Sequence, residues 1–135
     1  MPAQQRTEGP YTYEISDRKA CITKYNGPGG AVSIPSTLGG YPVTSIGDDA
    51  FFRCSSLTSV TIPDSVTFIG SCAFFGCKSL TSVTIPDSVT SIGRDAFAGC
   101  TSRTSVTIPD SKRQLFDNSF KHEIQDDFRV TFVTT

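Results

Sequence analysis

The fold of this chain is decided by the stretch LTSVTIPDSVTFIG, from Leu57 to Gly70, which returns as LTSVTIPDSVTSIG from Leu80 to Gly93. The two copies differ at one position, where Phe68 stands against Ser91. Self-similarity at a period in the twenties is typical of a solenoid, in which each repeat stacks only on its neighbours. The stretch therefore predicts a stack of nearly identical coils.

Other residues keep the same period of 23 residues. An Ile-Pro pair at 34–35 lies 28 residues before the next one, because the first coil is five residues longer. The residues that recur at the 23-residue period are the Ile-Pro pairs at 62–63, 85–86 and 108–109, then Phe51, Phe74 and Phe97, and finally Cys54, Cys77 and Cys100.

Within one unit the apolar positions predict the path of the chain. Leu57, Val60 and Ile62 have the spacing of a short strand with β-branched residues facing inward, and Pro63 ends it because proline cannot donate a ladder hydrogen bond. Val66 and Ile69 are then expected to return to the core, and Gly70 to allow a turn that a Cβ would hinder. We expect SCAFFGC, at 71–77, to form a short helical or irregular turn with Ala73 and Phe74 inside.

One coil cannot bury its apolar face alone, so stacking at about 4.8 Å must pair the strands into a parallel sheet. The predicted fold class is an α/β solenoid that is mostly β, with short parallel strands. Residues 1–30 are expected to form an N-terminal cap, with two short strands in 11–25 joined by a turn at 17–19. Residues 31–127 would form about four coils, the last degenerate, and 128–135 a closing strand with Val130 and Phe132 inward.

Composition excludes several function classes. The 135 residues carry 12 basic and 13 acidic side chains, so no electrostatic footprint for nucleic acid or an anionic membrane is present. No apolar run approaches the roughly 18–20 residues that span a bilayer, so membrane insertion is not expected. Five cysteines are an odd count, which excludes a complete set of disulfides within one molecule.

The segments LTSVTIPDSVTSIGRDAFAGC and ITKYNGPGGAVSIPSTLGGYPVTSIGDDAF resemble the BspA-like (Treponema pallidum-type) leucine-rich repeat family, over roughly 22–109. The resemblance implies a right-handed leucine-rich repeat solenoid and no catalytic residues. It also implies a bacterial surface or secreted protein that takes part in adhesion and protein–protein contact. The polar N-terminus has no apolar signal stretch, which predicts a cytoplasmic protein if this chain is the complete product.

Comparison between coils gives the candidate partner contact. Phe68 stands where sister coils have Ser45 and Ser91, and Phe52 and Phe75 stand where a later coil has Ala98. Stacking does not require an aromatic ring at these positions, and the period should expose them. We expect Phe52, Phe68 and Phe75 to form an apolar contact patch with Arg53 at its edge; partial burial against neighbouring loops or neutral drift is the competing interpretation.

Cysteine and aspartate residues recur in columns that could form chemical sites. The column of Cys54, Cys77 and Cys100 suits buried thiols better than zinc. Cys72, which replaces an aspartate of the sister coils, is expected to be exposed and reactive. The aspartates that follow the strands suit turns better than calcium, and they are Asp64, Asp87 and Asp110.

No catalytic constellation stands out, because His122 is the only histidine and lies in the degenerate last coil. The sequence predicts a non-catalytic protein-binding or adhesion module without metal or cofactor, whose protein partner is not identified. The alternative is a structural, self-associating solenoid, in which the final strand or the Phe52 and Phe75 positions would join copies into a homo-oligomer. A serine or cysteine hydrolase is a distant third hypothesis, tested by His122→Ala and Cys72→Ser.

Overall fold

The repeated β-branched segment forms a strand in every coil, and these strands align into one parallel sheet. The computed structural model describes residues 4–100, 105–112 and 129–133. Val32, Val60, Val83 and Val106 are paired in register across this sheet, and all four are buried. The five strands, in spatial order, are β12 (Arg129–Val133), β11 (Ser105–Pro109), β9 (Ser82–Thr84), β7 (Leu57–Thr61) and β4 (Gly30–Ser33). The predicted solenoid of stacked, mostly β coils is confirmed.

A second parallel ladder of strands, which was not predicted from the sequence, forms on another side of each coil. Ile46, Ile69 and Ile92 pair in register there and are buried, so this ladder closes the core from a second direction. The ladder consists of β6 (Tyr41–Ile46) and the two-residue strands β8 (Phe68–Ile69) and β10 (Ser91–Ile92), and β5 (Thr37–Leu38) pairs antiparallel with β6. Two-residue strands lack the alternation that marks a strand in sequence, so the isoleucines indicated only burial.

Three antiparallel strands cover the N-terminal end of this second sheet. They are β1 (Gln4–Glu8), β2 (Tyr11–Ser16) and β3 (Lys19–Tyr25), and β3 also pairs in parallel with β6 of the first coil. The turn between β2 and β3 holds Asp17 and Arg18 at positive φ angles of 53° and 61°. Strand β1 was not predicted, because its sequence QQRTE is polar throughout. The domain boundaries stay predictions.

Aromatic rings form a continuous stack through the centre of the solenoid. Phe51, Phe74 and Phe97 are buried, with ring centroids 5.0 and 5.2 Å apart between successive coils. Tyr25 of the cap stacks on Phe51 at 4.9 Å, and Tyr11 lies 5.3 Å beyond it. The cap therefore continues the internal order of the coils with tyrosine in the place of phenylalanine.

Glycines form a second column, because the coils approach too closely for any side chain there. A Cβ on Gly70 would lie 2.6 Å from the backbone nitrogen of Asp48 and 2.7 Å from the carbonyl carbon of Gly47. A Cβ on Gly93 would lie 2.4 Å from the backbone nitrogen of Ser71. The expectation that a Cβ would be hindered at Gly70 is confirmed, and the hindrance comes from the backbone of the preceding coil.

The segment after each glycine is an irregular turn and contains no α-helix. Its backbone N–H groups alternate between acceptors in the next coil and acceptors in their own turn. Phe51 N–H donates to the carbonyl oxygen of Ala73 in the next coil at 2.7 Å, whereas Phe52 N–H donates to the carbonyl oxygen of Asp49, three residues back, at 3.1 Å. This alternation requires left-handed residues, and Asp49 and Arg53 have φ angles of 61° and 56°. Among the described residues the one helical element is a 3-10 turn, Asp110–Lys112.

The last coil is described only in part. Strand β12 pairs with β11 in register, which places Val130 beside Val106 and Phe132 beside Ile108 along the backbone. The predicted inward position of those two side chains, and the rest of the degenerate last coil, lie outside the described residues.

Phe74 and Phe75 provide a test of the inward and outward faces. Phe74→Ala should destabilise the fold by about 3–5 kcal/mol, because it opens a cavity in the aromatic stack. Phe75 is half-buried, so Phe75→Ala should cost only about 1–2 kcal/mol from lost ring contact. Urea unfolding followed by circular dichroism measures both, and equal losses would contradict the assignment of faces.

The glycine column provides a second test. Gly70→Ala should destabilise the fold by about 3 kcal/mol, because the new methyl group meets backbone that cannot move without separating two coils. Gly9→Ala is the control: Gly9 has a φ of 57° and open space around it, so only the backbone penalty of about 1–2 kcal/mol applies. Thermal melts of both variants check this, and a Gly9→Ala loss as large as that of Gly70→Ala would disprove a steric origin.

Candidate functional site

Two aromatic rings and one guanidinium group form a ridge on the outer side of the turns. The rings of Phe52 and Phe75 stack with centroids 5.2 Å apart and an interplanar angle of 12°. The guanidinium carbon of Arg53 lies 5.4 Å from the centroid of Phe52, within the range of a cation–π contact. We call Phe52, Arg53 and Phe75 the ridge.

The local backbone explains why these side chains point outward. Phe51 faces the core and its neighbour Phe52 faces solvent, with 42% of its surface exposed. The next coil repeats this alternation with Phe74 and Phe75, so the two outer rings fall one above the other. Phe75 is half-buried rather than exposed as the sequence predicted, because Phe52 covers one face of its ring.

Phe68 lies on a different side of the coil. It belongs to β8 and pairs in register with Ser45 of β6 and Ser91 of β10, with 39% of its surface exposed. The structure thus brings Phe52, Arg53 and Phe75 together and places Phe68 on the seven-stranded sheet. Its role as a contact residue stays a prediction.

A groove with a volume of about 590 Å³ runs beside the ridge. Its lining residues are Arg53, Ser55, Phe75, Gly76, Lys78 and Gly99. Sequence reasoning missed Lys78 and the two glycines as site residues. One signal was available, because Lys78 stands where the preceding coil has Ser55.

Cys77 and Cys100 of the cysteine column are buried, as expected, whereas Cys54 is not fully buried. The Cys77 thiol donates to the carbonyl oxygen of Phe51 at 3.2 Å, and the Cys100 thiol donates to that of Phe74 at 3.3 Å. Burial raises the pKa of Cys77 to about 12, and the neighbouring Cys100 and Cys54 add to the shift. Cys54 is only half-buried, and burial also raises its pKa. A protonated, buried thiol is a poor nucleophile and a poor metal ligand.

Cys72 is half-buried, which corrects the expectation that it is exposed. It occupies the left-handed position of the turn, with a φ of 57°, where the sister coils have Asp49 and Asp95. Its backbone N–H donates to the carbonyl oxygen of Arg94 in the next coil at 3.1 Å, which holds the residue against the coil surface. Its reactivity stays a prediction.

The aspartate column lies at the surface of the turns that follow the strands. Asp64, Asp87 and Asp110 are exposed, and the turns are closed by backbone hydrogen bonds such as that from Val66 N–H to Pro63 O at 3.1 Å. One carboxylate oxygen of Asp87 accepts a hydrogen bond from the Ser111 hydroxyl at 2.9 Å. In the described parts of the chain no three His, Cys, Asp or Glu residues are grouped so that they could hold a metal ion.

The remaining hypotheses concern catalysis and membranes. His122, the only histidine, lies outside the described residues. The serines and threonines of the parallel sheet form a regular outward ladder, with Thr61, Ser82 and Thr84 exposed. Within 4–100, 105–112 and 129–133, no helix is long and apolar enough to cross a bilayer.

Comparison with known proteins places this geometry among repeat proteins. Residues 33–129 match six copies of the BspA type leucine rich repeat region. A leucine-rich repeat protein from Bacteroides capillosus ATCC 29799 is 33% identical in sequence, with a TM-score of 0.82. The match covers 96% of this chain and 98% of that one. A search among curated proteins finds no match.

Two further solved structures are longer than this chain. A leucine rich cell surface protein from Faecalibacterium prausnitzii A2-165 is 33% identical with a TM-score of 0.65, and the match covers 96% of this chain but 43% of that one. The leucine-rich repeat protein of T. pallidum is 25% identical with a TM-score of 0.58, with 96% and 64% covered. All three similar proteins are described as leucine-rich or leucine-rich repeat proteins, and none by a catalytic activity.

The cysteines allow a direct test of this placement. In the native protein at pH about 8, iodoacetamide should leave Cys77 and Cys100 unmodified, because buried thiols stay protonated. Cys72 should react before Cys77 and Cys100, because it is half-buried whereas they are fully buried. Peptide mass spectrometry over time measures the order.

Two controls accompany this labelling. All five thiols should react in denaturant, and Cys72→Ser should leave the native protection of Cys77 and Cys100 unchanged. Early native labelling of Cys77 would contradict its position in the core.

Proposed function

Because the chain belongs to the BspA-type leucine-rich repeat family, we propose that it is a non-catalytic protein-binding or adhesion module that contacts its partner through the ridge. One similar protein is described as a cell surface protein, and we propose the same location for this chain. Partner and location both go beyond the family assignment itself. The ridge supplies the contact residues.

The single observation that carries this proposal is the stacked pair of Phe52 and Phe75 on the outer side of the turns, with the guanidinium of Arg53 beside it. Coil stacking does not demand it, since Ala98 takes the corresponding position one coil later. Aromatic residues, phenylalanine included, and arginine are enriched in the cores of protein–protein interfaces. The stacked rings are also held rigid before binding, so little side-chain entropy is lost when a partner covers them.

Phe68 would be a second contact, on the seven-stranded sheet. Its ring has no apolar neighbour in register, because serines lie on both sides of it. A partner that reaches both the ridge and Phe68 must wrap around the edge between two sides of the coil. A Phe68 variant therefore tests how far the interface extends, and a ridge variant tests whether the interface exists.

A second candidate function, a self-associating structural solenoid, is favoured by the edges of the five-stranded sheet. Strands β4 and β12 end this sheet in the described residues, and the three cap strands extend the other sheet. An edge strand presents unpaired backbone groups that a second copy could pair with. Light scattering across concentration separates the two candidates, because only self-association makes the mass rise with concentration.

The ridge is tested by affinity capture followed by reconstitution. The native chain and two variants, Phe52→Ala/Phe75→Ala and Phe68→Ser, would be immobilised and offered cell lysate and extracellular matrix proteins. A retained protein is then purified and its affinity measured. The ridge double variant should lose about 2 kcal/mol or more of binding free energy, the range of a binding hot spot. Phe68→Ser should lose less.

A variant on the hydroxyl face provides the matched control. Thr61→Lys/Thr84→Lys places two charges on the exposed side of the parallel sheet, where solenoids commonly bind partners. It should keep the partner. Binding that survives loss of the ridge but fails in this control would move the site to the sheet and contradict the proposal, and no specific partner at all would favour the structural candidate.

A further inference from the structure

The groove beside the ridge carries two positive charges that the coil architecture does not require. Arg53 and Lys78 line it, and both side chains are exposed. Among the described residues that line it, none is acidic, although the chain as a whole has a net charge of −1. The described lining is therefore positively charged on a nearly neutral molecule.

Arg53 occupies a position that two sister coils give to glycine. Its φ is 56°, and the corresponding Gly76 and Gly99 have φ angles of 72° and 76°. The backbone bonds match as well, since Arg53 N–H donates to Phe75 O and Gly76 N–H to Ala98 O. Left-handed φ is unfavourable for arginine and neutral for glycine, so this arginine is kept against the local backbone preference. Strain of this kind concentrates at binding sites.

The two glycines create the space of the groove. A Cβ on Gly76 would lie 3.1 Å from Cγ of Arg53, and a Cβ on Gly99 would lie 3.3 Å from the Gly76 backbone and 4.0 Å from the Phe75 ring. Bare backbone therefore forms the floor, and the Phe75 ring lines the groove together with the two cations. A volume of about 590 Å³ falls within the range of ligand-binding clefts.

We propose that this groove binds an acidic peptide segment of a partner protein, with a carboxylate held by Arg53 and Lys78 and an apolar side chain packed on Phe75. This inference rests on the proposed function and specifies the chemistry of the partner. A carboxylate suits the site because the guanidinium group presents a planar fork of donors to it. The aromatic ring suits an adjacent apolar residue, and the groove is continuous with the ridge through Arg53 and Phe75.

A sugar fits this groove less well than a peptide. Sugar hydroxyls need several neutral hydrogen-bonding side chains, and Ser55 is the one side chain of that kind among the described lining residues. A free phosphate would use the cations and leave the ring of Phe75 without a role. Carboxylated sugar and phosphate are therefore included as competing probes.

The test uses the full chain, isotopically labelled, and a capped synthetic peptide of sequence Glu-Asp-Leu-Glu-Asp. Saturable shifts are expected at the backbone amides of Ser55, Gly76 and Gly99 in NMR spectra. The amide counterpart Gln-Asn-Leu-Gln-Asn should bind at least about ten-fold more weakly, because the charge-assisted contacts are absent. N-acetylneuraminate and inorganic phosphate, titrated alone, should bind more weakly than the acidic peptide.

Two variants take the sister coils' own residues and so keep the fold. Arg53→Gly follows Gly76 and Gly99, and Lys78→Ser follows Ser55. Each should weaken peptide binding about ten-fold while the melting temperature stays unchanged or rises. Arg18→Gly is the matched control, since Arg18 is exposed, has a φ of 61° and lies in the cap turn. It should leave peptide affinity unchanged.

Several results would overturn the groove assignment. They are absence of peptide binding, equal binding of the neutral peptide, tighter binding of phosphate or N-acetylneuraminate, and equal weakening by Arg18→Gly and Arg53→Gly. If any of these occurs while ridge variants still lose a purified partner, the groove inference fails and the protein-binding function stands. If ridge variants also keep the partner, both fail.

Discussion

Backbone hydrogen bonding from each coil to the next is the constraint on which the rest of the structure depends. It operates on all sides of the coil, including the irregular turns, where Phe51 and Phe74 donate to the coil that follows them. Because hydrogen bonds form only over a narrow range of lengths, every coil must follow nearly the same path at nearly the same spacing. The near-verbatim repetition of the sequence is the consequence, since each residue meets its own counterpart above and below.

This constraint divides positions into two kinds. Where a side chain faces the neighbouring coil, its size is fixed, as for the phenylalanine stack and for Gly70, whose Cβ would meet the backbone of Asp48. Where a side chain faces solvent, the repeat permits change. Differences between coils at exposed positions therefore carry the information about function, and Phe52, Arg53 and Lys78 are such differences.

The turns connect the fold to its proposed site. Alternating hydrogen bonds force left-handed conformations at two positions of each turn, and glycine or aspartate usually satisfies them. Arg53 and Cys72 are exceptions, and both lie in the same column of turns. Arg53, which departs from the repeat, lines a groove whose floor is formed by Gly76 and Gly99, which follow it. The charged side chain and the bare backbone together produce one concave surface with a positively charged described lining.

The sequence alone determined the solenoid, its period of 23 residues and most of its core, because Phe74, Val60 and their counterparts recur wherever stacking buries them. It also singled out the ridge residues, by comparison between coils. Only the tertiary structure decided that Phe52 and Phe75 stack, that Phe68 lies on another side, and that Cys72 is half-buried. The two-residue strands and the groove also escaped prediction. Stacking is periodic, so a sequence shows it as a repeat. The neighbours of an outward side chain depend instead on how the backbone of each coil bends, and the spacing of residues in the sequence does not contain that information.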